Sequence, residues 1–398
     1  MRKLLLLAIF LRLLVAAFYF HPDIKTYNFQ ASFLRKGMVN IYSYLVNNKK
    51  TLPLKEEFVY FPLTYFTLGT YQAIASPILG RAFDGWLADA GVNSFVKNPD
   101  IFKYIIVLKL PYLAVDILIA YLLMKFFDDP VKRKKAFIIW LFNPFTIAIF
   151  YVFSNVDIFP VALTLVSLLL AKKNKLVASS LVLGIGAGFK LYPILLVPFL
   201  FLKAGTLKEK ILVLLAPFMT LGIIVAPFLS SAFVQSAVIS GLTTRIFNPG
   251  FSLGFGEFNI VGLTGFTALF FYGLLIDRKI NLFNYWIVIF LLIFSFSHFN
   301  IQWLAWVAPF LVILAVQKPR LVFTLLALSI AAFLIPPLYE DRSMSMGLLR
   351  IYSTLYDLLP TPFVIVQKFY DPYNLQSILH SFLAGGSGVV IYDLFRKT

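Results

Sequence analysis

The chain has 398 residues, of which 60% are hydrophobic and 13% are charged, and its formal net charge is +17. Soluble domains are about one quarter charged, so this composition excludes an ordinary soluble protein and indicates one integral-membrane domain over residues 1–398. Nucleic acid is not expected as a partner, because basic loops on the cytoplasmic side of a membrane explain the excess of Lys and Arg. With no cysteine and three histidines, neither a disulfide nor a metal site is expected.

The first predicted element is a transmembrane helix over residues 4–20, an apolar run about long enough to cross a bilayer. His21, Pro22 and Asp23 follow it and open a long first outer loop, residues 21–104. Within this loop residues 59–79 are apolar, but a crossing there would put the basic residues 132–135 on the wrong side. We therefore predict that 59–79 is a re-entrant or surface-lying helix, one of several short helices in the loop.

The rest of the chain predicts a polytopic bundle of α-helices, because its apolar runs show no alternation with a period of two. Residues 136–202 predict two hairpins, with tips at 154–157 and 189–193. The arms of the second hairpin have about 12–14 residues, roughly 20 Å of helix, so Lys190 is expected in a cavity below the outer surface. Further spans are predicted at 105–127, 211–231, 261–276, 281–297, 303–317, 321–338 and 376–395, with outer loops at 232–259 and 339–374. The total is about 12 transmembrane helices.

Ionisable residues at membrane depth are costly, and each therefore needs a reason. On the predicted helix 105–127, Lys109 and Asp116 are seven residues apart on roughly one face, and a buried structural pair is expected. Arg12, in the first predicted span, is expected to extend its guanidinium toward the interface. None of these three residues is predicted to take part in chemistry.

Five other ionisable residues are predicted to meet on the outer face: Asp23, Asp157, Lys190, Arg245 and His298. Each has an ordinary alternative as a solvated loop residue, a turn residue, an interfacial cap or a contact to a lipid headgroup. Together they fit the displacement of a phosphate leaving group. A carboxylate would take the proton from the attacking hydroxyl, and cations or a histidine would stabilise the departing phosphate.

Several short stretches, in order along roughly residues 1–320, resemble one known superfamily. They are Asp23 with Tyr27, Tyr60-Phe61-Pro62-Leu63, Phe142-Asn143-Pro144 with Asn155-Val156-Asp157, Gly184 with Phe189-Lys190-Leu191-Tyr192-Pro193, Arg245-Ile246-Phe247, and Gln302-Trp303-Leu304-Ala305-Trp306. This ordered set resembles the GT-C integral-membrane glycosyltransferases, which use polyprenyl-phosphate sugars, and within them the mannosyltransferase-type branch. Two departures stand out: Ser154-Asn155 replaces a Gly-Gln pair, and Asn248-Pro249-Gly250 replaces an Arg-Gly element.

The resemblance implies a GT-C-like helical bundle and a set of site residues. Asp23 would be the catalytic base and Asp157 a second catalytic acid, and the donor phosphate would lie near Lys190, Arg245 and His298. Tyr27, Tyr192 and Gln302 would line the substrate groove. No cofactor is expected.

The function implied by the resemblance is transfer of a hexose, with mannose as the first candidate, from a polyprenyl-phosphate sugar to a hydroxyl acceptor outside the membrane. The acceptor would be a glycolipid or glycan, transfer would invert the anomeric centre, and the site would lie on the outer face of a prokaryotic plasma membrane. The alternative is a transporter or flippase for a lipid or glycan. Such proteins often show an internal repeat, and none is visible in this sequence.

Overall fold

The computed structural model of the chain describes residues 1–91, 96, 98–243, 250–254, 257–277 and 279–396. The α-helices are Arg2–Phe18, Pro22–Ser32, Ile41–Asn48, Pro62–Leu79, Ala82–Ala88, Ile101–Met124, Pro130–Leu141, Pro144–Ile147, Ile158–Lys172, Leu176–Ala187, Val197–Lys203, Leu207–Val225, Ser231–Phe233, Val261–Leu275, Leu282–Phe296, Ala308–Gln317, Val322–Leu334, Pro362–Gln367 and Pro372–Phe395. Short 3₁₀ or π segments are Phe33–Lys36, Ala148–Val152, Tyr192–Leu196, Ala226–Phe228, Val234–Thr243, Ile301–Ala305, Pro319–Leu321, Pro336–Leu338, Arg342–Met344, Met346–Leu349 and Thr354–Asp357.

The predicted helical class is confirmed, with one exposed antiparallel hairpin, Gly250–Gly254 with Glu257–Ile260, inside the predicted loop 232–259. The described residues contain four helices that are long and apolar enough to cross a membrane: Ile101–Met124, Leu207–Phe228, Pro319–Leu338 and Pro372–Phe395. Such helices are expected of an integral membrane protein. The number rises to six if two bent pairs each count as one span.

The predicted number of about 12 spans is not confirmed. Six of the predicted crossings coincide with apolar helices of only 10–17 residues, namely Ile158–Lys172, Leu176–Ala187, Tyr192–Lys203, Val261–Leu275, Leu282–Phe296 and Ile301–Gln317. At 1.5 Å per residue, a helix of this length is shorter than the roughly 30 Å hydrocarbon core of a bilayer.

The predicted first outer loop contains helices packed on one another. The helix Pro62–Leu79 begins at a proline, whose missing N–H costs nothing in a first helical turn. It is not one of the helices that are apolar enough to cross a membrane. Tyr65 donates a hydrogen bond to the carbonyl of Met38, and Tyr71 donates one to the carbonyl of Val107 at 2.6 Å. The helix predicted at 59–79 therefore exists, and protein packs against it.

The first helix, Arg2–Phe18, ends in a sharp turn that places Asp23. It is followed by Pro22–Lys36 at an angle of 86°. His21 caps the second helix in an extended conformation, and its Nδ1 accepts the backbone N–H of Asp23 at 3.2 Å. Pro22 then occupies the first helical position, so Asp23 lies in the first turn, where a carboxylate is favoured by the helix dipole.

The expected pair of Lys109 with Asp116 is wrong, and so is the expectation that Arg12 reaches the interface. Arg12 is fully buried and forms an ion pair with Asp116. Asp116 also accepts hydrogen bonds from the Tyr151 hydroxyl at 2.9 Å and from the Trp140 indole at 2.6 Å. Residues seven apart on a helix are separated by about 10 Å along its axis, so partners from other helices reach Asp116 more readily.

Lys109 is instead used to hold backbone ends together. Its buried ammonium donates to the carbonyls of Ala16 at 2.9 Å, Tyr19 at 2.7 Å and Tyr151 at 2.7 Å. The first two carbonyls belong to the end of Arg2–Phe18 and the residue after it, and the third lies in the π segment Ala148–Val152. These carbonyls lie where helices end and lack partners of their own, so one ammonium satisfies both ends at once.

The helices Ile158–Lys172 and Leu176–Ala187, each an arm of a different predicted hairpin, pack as an antiparallel pair around the basic turn 173–175. Ser167 and Ser179 face each other across it, with their hydroxyls 2.7 Å apart. Gly184 allows close packing on the next helix, because a Cβ there would lie 2.7 Å from the carbonyl oxygen of Pro217. The antiparallel arrangement brings Asp157, just before the first helix, to the same end as Lys190, just after the second.

Candidate functional site

The centre of the candidate site is an ion pair between Asp157 and Lys190. The Lys190 ammonium donates to both carboxylate oxygens, at 2.9 and 2.8 Å, and the indole N–H of Trp306 donates to Oδ2 at 2.9 Å. Asp157 is fully buried, and the Lys190 side chain is 15% exposed. A lone buried charge is costly, so each partner makes the other tolerable at this depth.

Aromatic rings surround the Lys190 ammonium. It lies 5.3 Å from the ring centre of Tyr60, 5.7 Å from that of Trp303 and 5.2 Å from that of Trp306. Tyr192 and Trp303 both stack on Trp306. Their ring centres lie 4.3 and 4.9 Å from that of Trp306, and the ring planes are nearly parallel. Rings of this kind attract a cation electrostatically and exclude water. The surroundings therefore favour a charged and fixed Lys190.

Opposing effects act on the Asp157 carboxyl. Burial raises its pKa above the ordinary value, and the nearby negative charge of Asp23 acts in the same direction. The Lys190 ammonium and the Trp306 indole act against this increase, because they stabilise the ionised form. The same interactions show that the two carboxylates predicted to belong to the site, Asp23 and Asp157, lie near enough to influence each other.

A chain of hydrogen bonds connects the two acids. The Tyr27 hydroxyl donates to Asp23 Oδ2 at 2.8 Å, the Tyr60 hydroxyl donates to that of Tyr27 at 3.3 Å, and the Asn155 amide donates to Tyr60 at 3.4 Å. Asn155 in turn accepts the backbone N–H of Asp157 at 2.8 Å. Burial raises the pKa of Tyr60 well above its ordinary value, so this hydroxyl remains a donor. Each donor in this chain points toward Asp23, so the chain ends on the Asp23 carboxyl group.

Asp23 differs from Asp157 in its access to the exterior. Its side chain is 30% exposed, whereas Asp157 is completely enclosed. A carboxylate that is held by a hydrogen-bond donor on one side and open on the other can accept a proton from a molecule that binds there. Of the two acids, Asp23 has the geometry of a base and Asp157 that of a positioning group.

The predicted site residues are only partly brought together. Asp23, Tyr27, Asp157, Lys190 and Tyr192 belong to the network just described. Gln302 is buried in the segment Ile301–Ala305, directly before Trp303. His298 is exposed, and its ring lies 4.4 Å from that of Tyr339, where the predicted loop 339–374 begins. Arg245 lies outside the described residues.

Five residues at the site were not among the predicted site residues: His21, Tyr60, Asn155, Trp303 and Trp306. Because His21 Nδ1 accepts a backbone N–H, the proton of a neutral imidazole must be on Nε2. Nε2 is buried and has no hydrogen-bond partner among the described residues. The position of His21, two residues before the predicted base, was the available signal. Tyr60, Asn155, Trp303 and Trp306 lie in stretches that carry the resemblance, and those stretches were the available signal.

An apolar groove of about 370 Å³ adjoins the site. It is lined by residues of helices Pro130–Leu141, Leu282–Phe296, Ala308–Gln317 and Val322–Leu334. At one end Leu304 and Val307 line it next to Trp303 and Trp306. Phe333 also lines it and lies 6.3 Å, centre to centre, from Phe153, whose ring is 5.9 Å from that of His21. The groove therefore opens beside the hydrogen-bonded network.

Comparison with protein-family models gives no matching family, and comparison with curated proteins gives no match either. Among the described residues, no three His, Asp or Glu side chains are grouped closely enough to hold a metal ion. A functional conclusion therefore has to come from the arrangement of the site itself.

Proposed function

We propose that this chain is a glycosyltransferase that transfers a hexose, with mannose as the first candidate, from a polyprenyl-phosphate sugar to a hydroxyl acceptor. The acceptor is a glycolipid or glycan on the extracytoplasmic face of a prokaryotic plasma membrane. Transfer inverts the anomeric centre and uses no cofactor. The observation that carries this proposal is a partly exposed carboxylate, Asp23, linked by hydrogen bonds to a buried acid–cation pair beside an apolar groove.

In the proposed reaction Asp23 accepts the proton of the acceptor hydroxyl. The acceptor oxygen forms a bond to the anomeric carbon while the bond from that carbon to the phosphate oxygen breaks, and the phosphate leaves with the electron pair. Tyr27 holds Asp23 in place through its 2.8 Å hydrogen bond. Polyprenyl phosphate, now carrying the additional negative charge, is the second product. The proton remains on Asp23 until it is lost to solvent, to which this side chain is exposed.

Lys190 is proposed to stabilise the departing phosphate, together with Arg245 and His298. Its ammonium is fixed by Asp157 and by three aromatic rings, so its charge is already positioned before substrate binds. Asp157 then serves to orient Lys190 rather than to accept a proton. Tyr192, stacked on Trp306, and Gln302, next to Trp303, are proposed to line the substrate groove.

The apolar groove supports a lipid-linked donor. Its lining is almost entirely aliphatic and aromatic, and one end lies beside Trp303 and Trp306. A polyprenyl tail bound along Val322–Leu334 would place its phosphate near the hydrogen-bonded network. A flippase or transporter for a lipid would also use such a groove, but it would have no need for a fixed carboxylate held next to an acid–cation pair.

The test compares wild type, Asp23→Asn and Asp100→Asn in membranes supplied with radiolabelled polyprenyl-phosphate mannose and a host lipid extract. Asp100 is a matched control, because it lies in the same predicted loop and is substantially exposed. We expect Asp23→Asn to lower transfer roughly 10²–10⁴-fold and Asp100→Asn to leave it unchanged. The configuration of the new glycosidic bond, read by NMR, tests inversion.

Wild-type transfer by Asp23→Asn would remove Asp23 as the base. No transfer by the folded wild type from any polyprenyl-phosphate hexose, combined with movement of labelled lipid between leaflets of proteoliposomes, would favour the flippase instead.

A further inference from the structure

A basic cavity lies at the other end of the bundle from Asp157. It consists of two adjoining cavities of about 240 and 550 Å³ that share Lys203 and Asn281 in their linings. The first also contains Lys172, and the second also contains Lys279. Asp157 immediately precedes the helix Ile158–Lys172 and Lys172 ends it, so 15 residues, about 22 Å, separate this cavity from the candidate active site.

The charge in this cavity is of one sign. Three lysines line it, and none of its described lining residues is acidic. Among the described residues, Lys203 and Lys279 have no hydrogen-bond acceptor for their ammonium groups, whereas Lys172 donates to the carbonyl of Phe126 at 2.7 Å. Lys203 is half-buried, and Lys279 is exposed. The carboxylate of Asp277 accepts the backbone N–H of Lys279 at 3.0 Å and the Tyr285 hydroxyl at 2.9 Å. Among the described residues neither the Lys203 nor the Lys279 ammonium forms an ion pair, so two cations face a common space.

An ordinary explanation accounts for part of this arrangement. Three helices end here, at Lys172, Lys203 and Gln317, and lysines at helix ends interact favourably with the last carbonyls. Lys172 does so directly. Lys279 lies between the end of Val261–Leu275 and the start of Leu282–Phe296, so the dipoles of these two helices act on it in opposite directions. Among the described residues neither Lys279 nor Lys203 donates from its ammonium to a carbonyl as Lys172 does.

Part of the cavity lining, called the floor here, is apolar, which restricts the ligand. The floor consists of Phe126, Leu168, Leu282 and Phe283, and Asn281 and Gln317 also line the cavity. A small hydrated anion would contact only the lysines and the amides. A lipid would fill both parts, with its phosphate at the lysines and its first methylene groups on the aromatic and aliphatic floor.

We propose that this basic cavity binds the phosphate group of an anionic membrane lipid, and that Lys203 and Lys279 provide the charge. Basic pockets between membrane helices bind anionic headgroups in this manner. The rule that lysines favour the cytoplasmic side places the bound lipid in the inner leaflet. Phosphate is the chemistry that the cavity recognises, and a water-soluble phosphate is its other possible source. The proposal does not depend on glycosyl transfer.

The test measures lipid binding to the purified full-length chain by native mass spectrometry. Phosphatidylglycerol and phosphatidylcholine with the same acyl chains are compared, with inorganic phosphate and glycerol phosphate as soluble competitors. The variant is Lys203→Gln/Lys279→Gln. The control is Lys132→Gln/Lys134→Gln, which removes the same charge from exposed positions on another basic segment. All proteins are first compared for thermal stability in phosphatidylcholine, so that only folded protein is measured.

We expect wild type and the control to retain phosphatidylglycerol in preference to phosphatidylcholine. The variant should bind phosphatidylglycerol about 30-fold more weakly, the loss implied by removing two lysines that face an anionic headgroup. Equal binding by the variant and the control would overturn the proposal. A further outcome is that millimolar glycerol phosphate displaces phosphatidylglycerol from wild type and the control but not from the variant. That result would support the phosphate site and identify a soluble source.

Discussion

The ion pair between Asp157 and Lys190 is buried, so the two side chains cannot be replaced independently. Removing Lys190 leaves a fully enclosed carboxylate whose one remaining side-chain donor among the described residues is the Trp306 indole, because both hydrogen bonds from the ammonium are lost. Breaking a buried pair on one side costs about 3–5 kcal/mol, whereas replacing both partners costs much less. The stability of the fold and the chemistry of the site are therefore coupled at these two residues.

We predict that Lys190→Met lowers the free energy of unfolding by about 3–5 kcal/mol, and that Lys190→Met/Asp157→Asn recovers a large part of this loss. The measurement is unfolding in mixed micelles followed by intrinsic tryptophan fluorescence. If Lys190→Met and the double variant were equally stable, the pair would contribute nothing to the fold. Transfer activity should remain low in both, since the charge that faces the phosphate is absent from each.

The Nε2–H of His21, which has no partner within the described part of the chain, leads to a prediction that separates the two ring nitrogens. Asparagine places an acceptor where Nδ1 lies and can still cap the backbone N–H of Asp23, but it has no group at Nε2. Glutamine carries an amide N–H at about the distance of Nε2 and loses the cap. If Nε2–H contacts a substrate oxygen, His21→Asn lowers kcat/KM roughly tenfold or more, and His21→Gln retains more activity.

A capping role alone would reverse this order, because asparagine is among the best N-cap residues. The measurement is kcat/KM for both variants, with thermal stability as the accompanying readout. Stability should follow the cap and favour His21→Asn, while activity should favour His21→Gln. Two variants that lose activity in proportion to their stability would show that Nε2–H has no role in the reaction.

At the scale of secondary-structure elements, Lys109 connects the two segments that carry the acids. It binds carbonyls just before His21 and in the π segment that leads to Asp157. We predict that Lys109→Met lowers kcat more than it changes KM, because both segments lose the contact that fixes their ends while the substrate groove is unchanged. Stability should fall by about 1–3 kcal/mol for the carbonyls left unpaired.

The matched control for Lys109 is Lys103→Met, on the same helix, where the lysine is 39% exposed and pairs with Asp100. This variant should behave like wild type in steady-state kinetics and in thermal unfolding. An equal loss in both variants would mean that any charge change on this helix disturbs the protein, and that Lys109 has no special place in it.

Much of the helical pattern could be predicted from apolar runs and proline positions. The predicted 105–127 corresponds to Ile101–Met124, and the predicted 376–395 to Pro372–Phe395. The 86° bend after Phe18 could not be predicted, because an apolar run gives the length of a helix but not its direction. The hydrogen-bond partners of Lys109 and Asp116 could not be predicted either. These two residues are close in sequence, yet each is bound by groups from other helices.

The candidate site could be predicted where it contains charged residues, because a charge within apolar sequence is costly to bury and therefore stands out. Asp157 and Lys190 are charged residues within apolar sequence, and they do meet. The tyrosine and asparagine that connect them to Asp23 belong to stretches singled out in the sequence, but neither carries a charge that would mark it as a site residue. Only the fold shows that Tyr60 and Asn155 lie between the two acids. Uncharged polar residues, which cost less to bury than charged ones, are therefore harder to predict as site residues, even where they complete a hydrogen-bond network.

At the scale of the whole molecule, the two ends of the bundle carry different chemistry. One end holds the acid–cation network, and the other holds the basic cavity, about 22 Å away along Ile158–Lys172. The apolar groove runs alongside Val322–Leu334, from Phe333 near the network toward Val322. A lipid-linked substrate would enter from the bilayer with its tail in the groove and its phosphate at the network. The tail and the sugar would be bound by separate parts of the protein.

This separation predicts that the groove can be blocked without touching the network. Ala332 lines the groove and is buried, and Ala332→Trp would occupy part of its volume. We expect KM for a full-length polyprenyl-phosphate sugar to rise about tenfold, roughly the loss of two buried methylene groups, while a donor with a two-isoprene tail keeps its KM. Ile330→Trp, on the same helix but 44% exposed, is the control and should leave both donors unaffected. An equal rise in KM for long and short donors would show that the tail does not lie in this groove.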